Sequence, residues 1–187
     1  MPEVTRPLPL SLEELYSGTT KFVTITRNVF RGTEEKTLRI DVVPGWKDGT
    51  KIRFEKAGDE VLGVAQDLVF KVEQKNHPMF TRVQEDLQIR VNISLTAALT
   101  NPRSPNPSDP SPLPQTVKTL DSREIAIPLP SGMIKPGQTT RIPNEGMPRR
   151  AKGVTIGRGD LIIRWFIVYP GVLTRQQRME LTRVLNQ

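Results

Sequence analysis

VVPGWKDGTKIRFEKAGDE runs from Val42 to Glu60, and LPSGMIKPGQTTRIPNEGMP runs from Leu129 to Pro148. Gly49 and Gly58 in the first stretch are spaced as Gly137 and Gly146 are in the second. Each stretch reads as strand, tight turn, strand, loop, because Gly, Pro, Asp and Asn cluster between alternating apolar residues. A catalytic loop has no reason to be said twice, whereas a binding scaffold does. The correspondence extends outward. LSLEELYSG (10–18) matches ISLTAALTN (93–101), each a strand end running into a short helix, and QDLVFKVEQKNHP (66–78) matches GDLIIRWFIVYP (159–170). The chain is therefore read as a duplicated small β unit, with units at 1–85 and 86–172. Two copies are too few for a solenoid.

Two-residue alternation marks the strands. In KFVTITRNVF, Lys21, Val23, Ile25 and Arg27 share one side, while Phe22, Thr24 and Thr26 point the other way. In EKTLRIDVV, Leu38, Ile40 and Val42 share a face, and in DLVFKVEQ so do Leu68, Phe70 and Val72. Ser11 with Glu14 three residues on forms a capping box that starts the first short helix. Between the second helical segment and its next strand, NPRSPNPSDPSPLP (101–114) carries six prolines in fourteen residues, which reads as an exposed insertion. Its PSDP has the spacing of an SH3-type ligand, and its Ser-Pro pairs that of a phosphosite. The tail LTRQQRMELTRVLNQ changes period: Thr174 and Gln177 form a second capping box, and Leu181, Val184 and Leu185 make an i, i+3, i+4 stripe with Met179 off it. A helix this short is marginal alone. The stripe packs on its own copy or on a second chain, and its place after the second repeat has closed favours the second chain.

Composition narrows the chemistry. There is no cysteine, which removes disulfides, zinc ribbons and thiol catalysis together. The single histidine, His77, sits before Pro78 in a turn, so no Ser-His-Asp or Cys-His device is expected. GWKDGTK is one residue short of a phosphate loop and reads as a hairpin turn. RGD (158–160) falls where the first copy enters a strand and reads as a turn; NIS (92–94) is an incidental glycosylation triplet. No run of apolar residues is long enough to span a bilayer, and the N-terminus lacks a signal pattern, so a cytoplasmic or nuclear setting is expected, with no enzyme activity, cofactor, metal or membrane. The net charge of +7 is uneven: residues 1–85 hold 13 cationic and 13 anionic side chains, and residues 86–187 hold 14 and 7. The excess of the second half suits solubility or an acidic partner. Aromatic residues on strands and a pI near 10 leave one alternative function, a basic β-domain protein binding single-stranded nucleic acid or another acidic partner.

Taken in succession, PLPLSLEELYSG (7–18), KTLRIDVVPGWKDGTKIRFEKAGDE (36–60), DLVFKVEQKNHPMFTR (67–82), DLQIRVNISLTAAL (86–99) and GDLIIRWFIVYP (159–170) resemble the C-terminal region of DnaJ-type, forty-kilodalton heat-shock co-chaperones of the class without a zinc-finger insert. The J domain of that family is absent here, so the chain is expected to be a fragment. The resemblance implies a mainly β fold: two tandem, similar β-sandwich-like domains with short helices, then a dimerisation helix at 173–187. It implies binding of unfolded polypeptide clients and of the acidic Glu-Glu-Val-Asp tail of a DnaK-type, seventy-kilodalton chaperone.

Carried over by motif, the binding groove comprises Leu8, Leu10, Lys21, Val23, Ile25, Arg27 and Phe70, with core burial of Val23, Ile25 and Phe70 as the other reading. The helix residues Leu173, Met179, Leu181, Val184 and Leu185 would form a homodimer contact. The first copy alone is read as keeping an apolar groove. Family members often carry a run of lysines on the groove strand, and this chain keeps only Lys21 and Arg27. Arg149, Arg150, Lys152 and Arg158, placed in the long loop of the second copy, are therefore expected to supply part of the acidic-tail contact.

Overall fold

A computed structural model of the chain describes residues 3–100 and 116–186; the insertion expected at 101–114 lies outside the described residues. The fold is mainly β, built from small sheets with a few short helices. The first half contains β1 (Glu3–Leu10), α1 (Leu12–Ser17), β2 (Thr19–Val29), β3 (Gly32–Val42), β4 (Lys51–Phe54), β5 (Glu60–Val61), β6 (Val64–Ala65) and β7 (Asp67–Gln74). Strand β7 lies between β1, which it pairs in parallel, and β4, which it pairs antiparallel. The long hairpin β2–β3 covers this sheet and contributes Ile25, Leu38 and Ile40 to the core beside Leu8, Leu68 and Val72.

The second half repeats the plan. It contains β8 (Phe80–Val83), β9 (Asp86–Ser94), α2 (Leu95–Thr100), β10 (Thr116–Lys118), β11 (Glu124–Ala126), β12 (Thr139–Ile142), β13 (Pro148–Ala151), β14 (Val154–Arg158), β15 (Leu161–Val168) and α3 (Arg175–Leu185). Here β15 pairs β9 in parallel and β12 antiparallel, as β7 pairs β1 and β4. The hairpins β10–β11 and β13–β14 stand where β2–β3 and β5–β6 stand in the first half. Strand β8 is added to the free side of β9, so residues 80–83 hydrogen-bond within the second sheet.

The repeated phrase folds by the same bonds in both copies. Gly58 N–H donates to the Gln66 carbonyl at 2.9 Å and Gly146 N–H to that of Gly159 at 2.8 Å. The return bonds are also shared, Gln66 N–H to Asp59 O and Gly159 N–H to Met147 O, both at 2.9 Å. Val72 N–H donates to Thr50 O as Trp165 N–H donates to Gln138 O. Arg53 Nε meets Asp67 at 3.0 Å, and Arg141 meets Asp160 at 2.8 Å; the same carboxylates accept from the N–H of Lys56 and of Asn144. Glycine is needed at 49 and 137 because both turns take a left-handed backbone (φ 81° and 73°). At Gly159 a Cβ would sit 2.0 Å from the Glu85 carbonyl oxygen, so close backbone approach fixes that residue.

The halves are tied across the middle. Arg82 donates to the Trp46 carbonyl at 2.7 Å, Lys47 pairs with Glu85 at 2.6 Å, and Arg150 donates to the Pro44 carbonyl at 3.3 Å. Arg158 lies 4.4 Å from the Tyr16 ring, whose hydroxyl donates to Asp121. These are surface-to-surface polar contacts around the short segment 75–79, and they orient one half against the other.

Candidate functional site

Strand β1 is an edge strand. Its partner β7 lies on one side, and on the other β2 runs alongside it without a ladder of hydrogen bonds. The two strands are antiparallel: Lys21 Nζ donates to the Pro9 carbonyl at 3.4 Å at one end, and Val4 and Arg6 face Ile25 and Arg27 across a narrow groove at the other. Ala57, Gly58 and Asp59 line that second end. Since Pro9 O points to β2 and Leu10 O accepts from Lys75 N–H, alternate residues of β1 aim their polar backbone at the groove. Two of those residues, Pro7 and Pro9, have no N–H. The open edge thus offers carbonyls and few donors, which blunts indiscriminate strand pairing while leaving acceptors for an incoming chain.

Placement of the expected groove residues follows the alternation of β2. Lys21, Val23, Ile25 and Arg27 all lie on the inward face, with Phe22 and Thr24 exposed. Depth separates them: Val23 is half-buried against the core, whereas Ile25 is buried. Leu8, Leu10 and Phe70 are core residues. Phe70 is only 2% exposed and meets Phe54 edge-on, ring centroids 5.9 Å apart. The structure therefore makes Phe70 the floor beneath the sheet rather than an accessible contact.

Both cations on this face are already engaged. Lys21 pairs with Glu14 at 2.9 Å, and Arg27 binds Glu34 through Nε at 2.8 Å while donating to the Lys56 carbonyl. Burial pushes the Glu14 carboxyl up, but the Ser11 N–H and Lys21 outweigh it and hold it below its ordinary value. An acidic ligand must exchange with these partners, which weakens its capture.

In the second half the cations sit on a hairpin and not in a loop. Lys152 and Gly153 both have positive φ (48° and 83°), the two-residue turn that matches strand twist, and it joins β13 to β14. Leu62 and Gly63 (52° and 77°) make the same turn between β5 and β6. Val-Leu-Gly-Val and Ala-Lys-Gly-Val were the signal in the sequence. Arg150 is spent on the Pro44 and Gly153 carbonyls and Arg158 on Tyr16, while Arg149 and Lys152 remain exposed.

The second half also has a cleft, against the expectation of one groove in the first copy alone. Strand β8 pairs β9 only as far as Ile89, so the edge beyond it is open toward β10. The resulting cleft of about 560 Å³ is lined by Met79, Ile89, Val91, Val117 and Ile127 with Arg90 and Lys118. The sequence concealed it because the two strands are distant in the chain. A further groove of about 760 Å³, largely apolar, lies between α2 and α3. Leu173, Leu181, Val184 and Leu185 line it, Met179 does not, and no residue of α3 is buried.

Among the described residues no cluster of His, Asp and Glu is placed to hold a metal ion, and no helix is long and apolar enough to cross a membrane. His77 accepts the Met79 and Phe80 N–H groups at Nδ1 and faces Glu13 through Nε2 at 3.1 Å, a turn-locking role.

Comparison with known proteins bears on this arrangement. Residues 4–170 match the family model described as the DnaJ C terminal domain. The chain is similar to human DnaJ homolog subfamily B member 13, 37% identical over 98% of this chain and 56% of that protein. It is 34% identical to protein psi1 of Schizosaccharomyces pombe, over 94% and 44%, and 36% identical to human DnaJ homolog subfamily B member 5, over 98% and 51%. The chain spans about half the length of the curated relatives it matches.

Proposed function

The chain belongs to the DnaJ C-terminal domain family, a co-chaperone family, and from that premise we propose that it holds non-native polypeptide against the open edge of β1 and passes it to a DnaK-type chaperone. The observation that carries this reading is the unpaired β1 edge facing the inward side of β2 across a narrow crevice lined by Val4, Ile25 and Leu68 together with Arg6, Arg27 and Asp59. An extended client segment adds as a strand, its N–H groups meeting the Pro7 and Pro9 carbonyls. Its alternate side chains bury against the half-buried Val4 and Val23, with the sealed Ile25 packed beneath them, at about 25 cal/mol per Å² of apolar area. Folded proteins mostly shield their edge strands, whereas unfolded chains expose extended apolar segments, so the groove favours unfolded chains.

A small groove binds weakly. The exposed apolar face of α3, with Leu173, Leu181, Val184 and Leu185, is proposed to join two copies, so that two grooves act on one client and avidity replaces affinity. The acidic tail of the DnaK-type partner is proposed to compete for the same groove near Lys21 and Arg27, with Arg149 and Lys152 adding long-range attraction. A cytoplasmic setting belongs to the same proposal.

The test is a titration with two labelled peptides, one apolar and one ending Glu-Glu-Val-Asp, at low and moderate salt. Val23→Asp should weaken the apolar peptide at least about tenfold, since it places an unpaired charge in the groove. Arg149→Glu with Lys152→Glu should weaken only the acidic peptide, and only at low salt. Unchanged affinity of Val23→Asp for both peptides would overturn the groove. Unchanged acidic-peptide binding in the charge-reversed variant would remove the second half from that contact.

A further inference from the structure

The far end of the first half carries apolar side chains that folding does not explain. Leu62 is 99% exposed and Phe30 is 91% exposed, with Val61 and Val64 half-exposed beside them. Leu62 occupies the first position of its turn at φ 52°, a conformation that disfavours a branched apolar residue. The equivalent turn in the second half carries Lys152 at φ 48°, so the backbone itself has no need of leucine. An exposed apolar group on two neighbouring hairpins marks an interaction surface.

The position of this tip relative to the groove is fixed by three successive contacts along β2. Arg27 donates to the Lys56 carbonyl at 3.1 Å, Asn28 N–H to Asp59 at 2.6 Å, and Phe30 N–H to Glu60 at 2.9 Å. The segment 56–60 thus climbs beside β2 from the Arg27 end of the groove to the β5–β6 turn. Asp59 and Glu60 are consumed in holding the two hairpins together, which leaves Phe30, Val61, Leu62 and Val64 to meet a ligand.

We propose that this tip is a second contact for the same extended apolar polypeptide that the groove holds, a clamp reached by the two or three client residues that leave the groove at its Asp59 end. The proposal rests on the groove reading above. The inward face of β2 between Lys21 and Arg27 is about 20 Å long at strand rise, the length of about six extended residues, so a longer client segment that runs past Arg27 arrives at the tip. Four side chains on a narrow protrusion fall far short of the ~1,200 Å² that a stable interface between two folded copies requires. They suit a flexible chain that already has an anchor. The clamp makes affinity depend on length and on an apolar residue just outside the groove, so it sets which client segments are held.

The experiment uses the whole chain, an apolar eight-residue peptide, and the same peptide lengthened by two leucines at either end. The wild type should bind one of the longer peptides about tenfold more tightly than the short one. Phe30→Ser with Leu62→Ser should abolish that gain and leave short-peptide affinity and thermal midpoint unchanged, since both side chains are exposed. A gain that survives in the double variant, or no gain with either extension while the short peptide binds, overturns the clamp and spares the groove. Equal loss of short and long peptides overturns it too, as does a change in oligomeric state without a change in length dependence. Amide shift mapping separates the readings further: shifts at Val23 and Ile25 without shifts at Phe30 and Leu62 sink the clamp alone. Absence of shifts at both sites sinks the groove and the clamp together. Tip shifts without groove shifts break the continuity on which the clamp stands and overturn it.

Discussion

Replacing Phe70 by alanine separates a contact residue from a packing residue. Phe70 lies in the central strand β7, opposite Ile52 of β4, with its ring edge-on to Phe54 and almost no exposure. Deleting a buried phenylalanine side chain costs about 3–5 kcal/mol through lost transfer energy and the cavity left behind. The ring pair with Phe54 contributes about 1 kcal/mol of that. With a urea dependence of about 2 kcal/mol per M, the unfolding midpoint of the first half should fall by about 2 M. Trp46 reports that half and Trp165 the other, so Phe70→Ala in a Trp165→Phe background isolates the transition by fluorescence. A domain with about 8 kcal/mol of stability would keep about 4, still more than about 99% folded in buffer. Peptide affinity should then change by less than about twofold. A midpoint within about 0.3 M of wild type together with loss of peptide binding would refute the reasoning. It would mean that Phe70 is an accessible part of the groove and that the sheet packs differently.

Acid should loosen the first half through Asp67. The Lys56 N–H and then the Arg53 guanidinium hold its carboxyl below its ordinary 3.8. A depressed folded-state value means the stabilisation is present above 3.8 and is lost as pH falls through the lower folded value. Urea midpoints measured from pH 5 downward should therefore drop less steeply in Asp67→Asn than in wild type, and parallel slopes would contradict the assignment. For α3, the proposed homodimer predicts that the wild type sediments as a dimer in analytical ultracentrifugation and that Leu181→Asp with Val184→Asp sediments as a monomer. The melting of the β units should change by less than about 0.5 kcal/mol, because no side chain of the helix is buried in its own chain. A variant that still sediments as a dimer would remove this helix from the contact.

The strands, both capping boxes and the duplication were legible in the sequence because each is written locally. Two-residue alternation fixes which side of a strand faces the core, so Lys21, Val23, Ile25 and Arg27 could be placed on one face. Ser11 with Glu14 and Thr174 with Gln177 start helices within a single turn of chain. The paired glycines report backbone conformations that other residues resist. Depth was not legible. Alternation cannot say that Val23 stops half-buried while Ile25, Leu8 and Phe70 are sealed, because that depends on which sheet lies above. Only the tertiary structure decided that β1 keeps a free edge while β8 covers part of the equivalent edge of β9. It likewise decided that Arg150 and Arg158 turn back to bind Pro44 and Tyr16. Such pairings join residues far apart in the chain, where side-chain reach and backbone approach are set by packing and not by sequence spacing.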